Sequence, residues 1–247
     1  MNAEFDTVAE WTAQVAVKLG PDFYVPAACR GSGSPAALDW LIDHMRLVPG
    51  DRLLDCGAGT GGPAAYAAQF RSVQPVLVEP EAGACRAART LFDHPVIRGQ
   101  GSALPIADSS FDAAWSLGVL CTTTEQTSLL QELRRTVRSG GRMGLLVFVA
   151  HRAIPSNQLE NNHFPTTDGL FELIGEASLN VEHRLSTADL PAIPQVWSKR
   201  VEMVDDALAD RYGHTRAWRL AERQSDEIGQ LLEEGTLTGE LLVLHHA

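Results

Sequence analysis

Four glycines and two acids mark the part of this chain best equipped for chemistry. Gly57, Gly59, Gly61 and Gly62 fall within "LLDCGAGTGG", Asp55 stands two residues ahead of them, and Glu79 ends the next apolar run, "PVLVEP". Glycines so spaced let a backbone turn tightly and come close to a ligand, and the start of a following helix presents free N–H groups to it. Two ligand classes fit the glycines. Gly57, Gly59 and Gly62 satisfy G-x-G-x-x-G, the pattern that cradles a dinucleotide pyrophosphate, while Gly57, Gly59 and Gly61 satisfy a second glycine-loop pattern. Asp55 favours the second, because a carboxylate there repels a pyrophosphate and suits a ligand that carries an ammonium group. Further along, His151 follows the apolar run "RMGLLVFVA" and is the side-chain type most often used as a general base.

These residues need elements to hold them. The apolar runs "RLLDC", "PVLVEP", "PVIRGQ", "FDAAWSL" and "RMGLLVFVA" alternate with helical stretches at about 62–70, 81–92 and 125–138. Runs so short and continuous are what strands buried on both faces look like, and their alternation with helices predicts right-handed βαβ units in a doubly wound α/β sheet. Ligands of such sheets sit beyond the carboxyl ends of the strands, where Asp55, Glu79 and His151 fall.

Upstream, 4–19 and 35–47 read as helices, the second started by Ser34 as N-cap and Pro35 in the first turn. Between them "DFYVPAACRGSGS" is rich enough in Pro, Gly and Ser to predict an irregular segment. Beyond Ala150 the alternation loosens: 151–165 reads as loop, 166–177 as helix, "LNVEHRLS" as strand, about 194–234 as helical, and "TGELLVLHHA" as a last strand. The domain expectation is a helical lid segment over 1–47 and a core over 48–247, with a helical cover at about 190–235 on the ligand edge.

Composition narrows the function. Lys plus Arg total 20 against 31 Asp plus Glu, a net charge of −11 that repels nucleic-acid backbones and anionic membranes. Arg134, Arg135 and Arg138 read as a solvated helix face rather than a basic patch. The amino end lacks an apolar signal region and no run approaches a bilayer span. Cys29, Cys56, Cys85 and Cys121 are scattered without metal spacing, so the expectation is a cytoplasmic chain with reduced thiols and no metal.

Taken in order, "LDCGAGTG", Glu79, "GSALPIADSSFDAAWSL" and "ELRRTVRSGGRMGLLVF" resemble the motifs of class I S-adenosylmethionine-dependent methyltransferases, the group that includes ubiquinone/menaquinone-biosynthesis and sterol methyltransferases. The resemblance is ordered over about 48–150 and loose to the carboxyl end. It implies a mostly parallel, seven-stranded Rossmann-like sheet and S-adenosyl-L-methionine as cofactor. It further implies that Gly57, Ala58, Gly59 and Gly61 pass close to the methionyl part while Asp55 holds the ammonium end. Glu79 would accept both ribose hydroxyls, Pro80 would flank the adenine, Ser102, Ala103 and Leu104 would line it, and the Leu117 carbonyl would face the ammonium. Ser102 and Ala103 replace the family's acid and small residue, and Cys121 with Thr122 replaces its histidines, so Cys121 reads as a packed thiol. Asp112 reads as a turn residue.

The expected reaction is methyl transfer to a small, partly apolar metabolite, with a homodimer left open. His151 is the candidate base, ahead of His163, Tyr24 and Glu125, and Arg30 could reach the methionyl carboxylate. Trp197, Met203 and Trp218 could line an apolar pocket. Two alternatives stand beside it: a protein that binds the cofactor without methylating, cyclase-like or regulatory, and a nicotinamide-dependent dehydrogenase.

Overall fold

The computed structural model describes residues 2–152, 154, 159 and 162–247. Their elements run, in order, α1 (Asn2–Leu19), α2 (Tyr24–Ala28), α3 (Pro35–His44), β1 (Arg52–Cys56), α4 (Gly62–Arg71), β2 (Gln74–Glu79), α5 (Ala82–Leu91), β3 (Val96–Arg98), β4 (Phe111–Leu117), α6 (Gln126–Thr136) and β5 (Val137–Ala150). Then follow α7 (Thr167–Glu176), β6 (Leu179–Ser186), α8 (Gln195–Tyr212), α9 (Arg216–Glu233) and β7 (Leu237–His246). The strands form a seven-stranded sheet in the order β3-β2-β1-β4-β5-β7-β6. The five strands from β3 to β5 pair in parallel, whereas β7 runs antiparallel between β5 and β6.

Successive strand residues face opposite sides of the sheet, so adjacent apolar residues enter different cores. Leu54, Ala114, Leu145 and Val147 join Leu129 and Leu133 of α6 and Leu170 and Ile174 of α7. Leu53, Ala113, Trp115 and Leu146 join Leu38 and Leu41 of α3 with Tyr66 of α4. A third core lies among helices alone: Ala9, Ala13 and Ala16 of α1 pack with Ala84 and Ala87 of α5, Val204 and Leu208 of α8, and Trp218 of α9.

Two local expectations change. The segment 22–34 is not wholly irregular, since a 3-10 turn at Pro21–Phe23 leads into α2. Pro26 falls in the first turn of that short helix, where its missing N–H leaves nothing unpaired, and Pro26, Ala27 and Ala28 are buried. Helix α6 stops at Thr136, and the chain from Val137 enters β5 early through an irregular register around Gly140, whose φ is 80°. Of the expected loop at 151–165, residues 153, 155–158, 160 and 161 lie outside the described residues.

Candidate functional site

Asp55, one residue before the end of β1, pairs across the strands with Leu77, which puts it on the same face of the sheet as Glu79, the last residue of β2. Both carboxyls are buried, at 2% and 4% exposure. Burial pushes the Asp55 carboxyl up to about 7, and the nearby Glu79 charge adds to that rise. The indole of Trp115, the cross-strand neighbour of Asp55 on β4, and the Ala64 N–H lie near enough to act against that rise, yet among the described residues neither Asp55 Oδ2 nor Trp115 Nε1 has a partner at hydrogen-bond geometry. A buried carboxylate oxygen left bare is costly unless a ligand completes it. An ammonium group would do so.

Glu79 is engaged but not saturated. Its Oε2 accepts from the Gly59 N–H at 2.8 Å and its Oε1 from the Glu81 N–H at 3.0 Å. A carboxylate has about four acceptor positions, so two adjacent hydroxyls can still be received. Burial raises its pKa, the two backbone bonds act against that rise, and Glu81 and Asp6 add to it.

The glycine loop spends its donors inside the protein. Gly57 and Ala58 N–H groups donate to Val78 O at 2.8 and 3.2 Å, Gly59 N–H to Glu79, and Gly61 N–H to Ala58 O at 2.8 Å. A pyrophosphate cradle needs such donors free. With two buried acids beside them, these residues suit a cationic ligand and not a dinucleotide phosphate. Gly57 holds φ 74°, and a Cβ there would stand 2.5 Å from Val119 Cγ2.

Gly62 has a different function from the one the dinucleotide pattern suggests. Its own φ is ordinary, but a Cβ would stand 2.4 Å from Ala28 C and 2.6 Å from Cys29 N, so the end of α2 lies directly on the start of α4. Thr60 Oγ1 donates to Ala28 O at 3.2 Å and fixes the same contact. Just beyond, the Gly31 carbonyl packs on Gly118, where a Cβ would approach it to 2.8 Å. The segment 28–31 therefore crosses the carboxyl ends of β1 and β4.

Of the other residues singled out, Pro80 follows Glu79 and its carbonyl accepts from Arg98 Nε at 2.9 Å. Ser102 Oγ donates to Glu125 Oε2 at 2.9 Å, Ala103 is exposed, and Leu104 is buried with its N–H held by Glu132 at 2.7 Å. Leu117 ends β4 beside Ser116, whose hydroxyl donates to Cys56 O at 3.0 Å and ties the two strand ends together. Arg30 ion-pairs with Asp205 of α8 at 3.0 Å, with its guanidinium 5.8 Å from the Trp218 ring centre. His151 is exposed just past β5, and its Nε2 meets the Thr238 hydroxyl on β7. Among the lesser candidates, His163 is exposed with its N–H on Cys121 O, and Tyr24 meets Phe92 edge to face. Trp218 is buried in the helical core, Trp197 packs against Tyr66, and Met203 is exposed. Burial lifts the Cys121 thiol to about 11, which fits a packed thiol.

The three arginines are occupied: Arg135 by Glu132 and Asp108, Arg138 by Asp112, and Arg134 by the Ser178 carbonyl. Asp112 also accepts from the Arg52 N–H; it lies within β4 rather than in a turn, and its carboxylate ties the starts of β1 and β5 to β4. Sequence reasoning missed Asp6 and Asp205, both of which bring distant helices to the site. No helix among the described residues is long and apolar enough to cross a membrane.

Residues 54–145 match the family model described as a methyltransferase domain. The chain is 32% identical over 114 residues to 27-O-demethylrifamycin SV methyltransferase of Amycolatopsis mediterranei strain S699, covering 43% of this chain and 42% of that one. It thus spans less than half of that relative's length. Among solved structures, the (4+2) cyclase SpnF superposes with a TM-score of 0.65 at 19% identity, covering 85% of this chain and 79% of that one. A methyltransferase of Geobacter sulfurreducens, described as SAM-dependent and solved with S-adenosyl-L-homocysteine, gives 0.62 at 17% identity, covering 87% and 92%. Identities so low speak for the fold alone, and the family match does not favour the alternatives without methyl transfer.

Proposed function

We propose, on the premise that this chain belongs to the class I S-adenosylmethionine-dependent methyltransferases, that it moves a methyl group from S-adenosyl-L-methionine to a small, partly apolar metabolite. The observation that carries the proposal is the pair of buried carboxyls on one sheet face: Asp55 with an oxygen that no donor among the described residues meets at hydrogen-bond geometry, and Glu79 with acceptor capacity to spare. Asp55 would hold the ammonium of the cofactor, Glu79 its ribose hydroxyls, and Gly57, Ala58, Gly59 and Gly61 its close-packed methionyl part. Pro80, Ser102, Ala103 and Leu104 would border the adenine, with the Leu117 carbonyl toward the ammonium.

A sulfonium supplies an already activated methyl group, so the protein has mainly to align the acceptor and keep water out. The segment 28–31 and helices α1, α8 and α9 form the cover in this reading. The Arg30–Asp205 pair joins the segment to α8, and Arg30 would exchange Asp205 for the methionyl carboxylate on binding. His151 is the base we assign for an acceptor that must lose a proton. Its place past β5 supports this, and the Thr238 hydroxyl fixes one ring nitrogen. Four free, buried cysteines support a cytoplasmic setting.

The test is incubation of the purified chain with methyl-labelled cofactor and a panel of phenolic, amine and carbon acceptors, with calorimetric titration of S-adenosylhomocysteine alongside. Expected are binding and a labelled product. Failure to bind S-adenosylhomocysteine, together with binding of a nicotinamide dinucleotide, would overturn the proposal. For His151, the His151→Ala chain should lose ~10²-fold or more in kcat with little change in cofactor Kd. Unchanged kcat would remove the assignment.

A further inference from the structure

We infer that Phe5, near the amino end of α1, is the aromatic wall of the adenosyl half of the cofactor site, which makes α1 part of cofactor recognition. The inference rests on the function proposed above and adds a residue outside the matched family region 54–145.

Phe5 is a large apolar side chain left 46% exposed, on a helix whose other inward residues are packed. It does not project into open solvent at an arbitrary place. Its ring edge stands 4.0 Å from the position a Cβ would take on Gly59, the residue whose N–H holds Glu79. Phe5 therefore stands against the residue that holds the carboxylate to which ribose hydroxyls are assigned.

Its position is fixed by its neighbours. Asp6 Oδ1 accepts the Gly83 N–H at 2.7 Å and the Ala84 N–H at 3.3 Å, and so caps the start of α5 from another helix. Glu81, the residue in the capping position itself, makes no side-chain cap. Gly83 is pressed against α1 so closely that a Cβ would stand 2.5 Å from Asp6 O. One helical turn on, Glu10 pairs with Arg86. These contacts set the register of α1 on α5, and that register holds Phe5 beside Gly59.

A ring held in that way has clear uses for an adenosyl ligand. Its face stacks on a purine or shields ribose hydroxyls bonded to Glu79, and its π cloud favours a ligand with cationic character. Alanine substitution of an aromatic that stacks on a base costs roughly 1–3 kcal/mol, about 5- to 150-fold in affinity.

The test is calorimetric titration of the full chain with S-adenosylhomocysteine, for wild type, Phe5→Ala, Phe5→Leu and Phe5→Trp. Phe5→Ala should bind about tenfold or more weakly while its Tm stays close to wild type, since the side chain is half exposed. Phe5→Leu, which keeps apolar bulk and loses the π face, should also weaken binding. Phe5→Trp should restore affinity to within about threefold and add a ligand-induced fluorescence change absent from wild type. Wild-type affinity in Phe5→Ala would overturn the inference and leave the proposed function standing. A wild-type chain that does not bind S-adenosylhomocysteine would overturn both.

Discussion

Replacing Gly62 by Ala tests the contact between α2 and the glycine loop. In an isolated helix this change stabilises, by up to ~1 kcal/mol. Here the new Cβ would stand 2.4 Å from Ala28 C and 2.6 Å from Ala28 O, both backbone atoms that no rotamer change can move. Restoring ordinary contact at 3.4 Å needs a retreat of about 1 Å by the end of α2, which breaks the Thr60–Ala28 hydrogen bond and drags Gly31 off Gly118. Overpacking costs ~1–3 kcal/mol, and against backbone atoms that cannot rotate away it falls at the upper end, about 2–3 kcal/mol, so after the helix gain the net destabilisation should be about 1–2 kcal/mol. For a chain of this length that lowers Tm by roughly 2–8 °C. Because the segment 28–31 lies across the strand ends, affinity for S-adenosylhomocysteine should fall as well. Gly229→Ala is the matched control: Gly229 lies in α9, and a Cβ there meets nothing within 4 Å, so the same change should raise Tm slightly. Thermal unfolding of both variants, with calorimetry, decides. A Gly62→Ala chain that is stabilised like Gly229→Ala and binds like wild type would refute the argument.

Other perturbations probe the same site. Folded Asp55 keeps its proton up to about 7, whereas an unfolded carboxyl loses it near 3.8, so the unfolded state binds fewer protons between these values and stability should fall as pH rises through that window. Asp55→Asn should flatten this slope in Tm measured from pH 4 to 8 and should weaken cofactor binding; a slope unchanged in the variant would assign the effect elsewhere. Glu79→Gln swaps an acceptor for a donor facing either Gly59 or Glu81, and should cost at least tenfold in S-adenosylhomocysteine affinity together with some Tm. Arg135→Ala removes donors to the Leu104 and Ile106 carbonyls as well as to Glu132 and Asp108, and should lower stability in urea by about 1–3 kcal/mol. Arg138→Ala, which loses a more exposed pair with Asp112, should cost less than ~1 kcal/mol.

What the sequence showed follows from what is local. The strands of the parallel half were legible because Leu53, Leu54, Ala113, Ala114, Leu145 and Leu146 are buried on both faces and leave continuous apolar runs. Asp55 and Glu79 were legible because strand ends on an α/β sheet are where ligands bind, and their acidity is visible in the residue type. The glycines were only half legible. Positive φ at Gly57 is a local property, but Gly62 and Gly83 are glycine because a distant backbone lies against them, and nothing within a few residues of either announces Ala28 or Asp6. The same holds for Arg30, whose partner Asp205 lies on α8, and for the place of β7 between β5 and β6, which chain order does not reveal.

That place of β7 bears on the order in which the molecule can be completed. As the chain is synthesised, β6 emerges long before the strand it bonds to, since among the described residues its only neighbour in the sheet is β7. Residues 187–236, with α8 and α9, must be made before either strand of that edge is satisfied. Until then the far edge of β5 is also bare, an open strand edge exposed to pairing with other chains. The same insertion ties the helices at both ends: α8 follows from β6 and α9 leads into β7, so the cover is a closed loop anchored to adjacent strands. Tethered at both ends, it can move on binding only about the short segments 187–194 and 234–236, with the β6–β7 pairing kept.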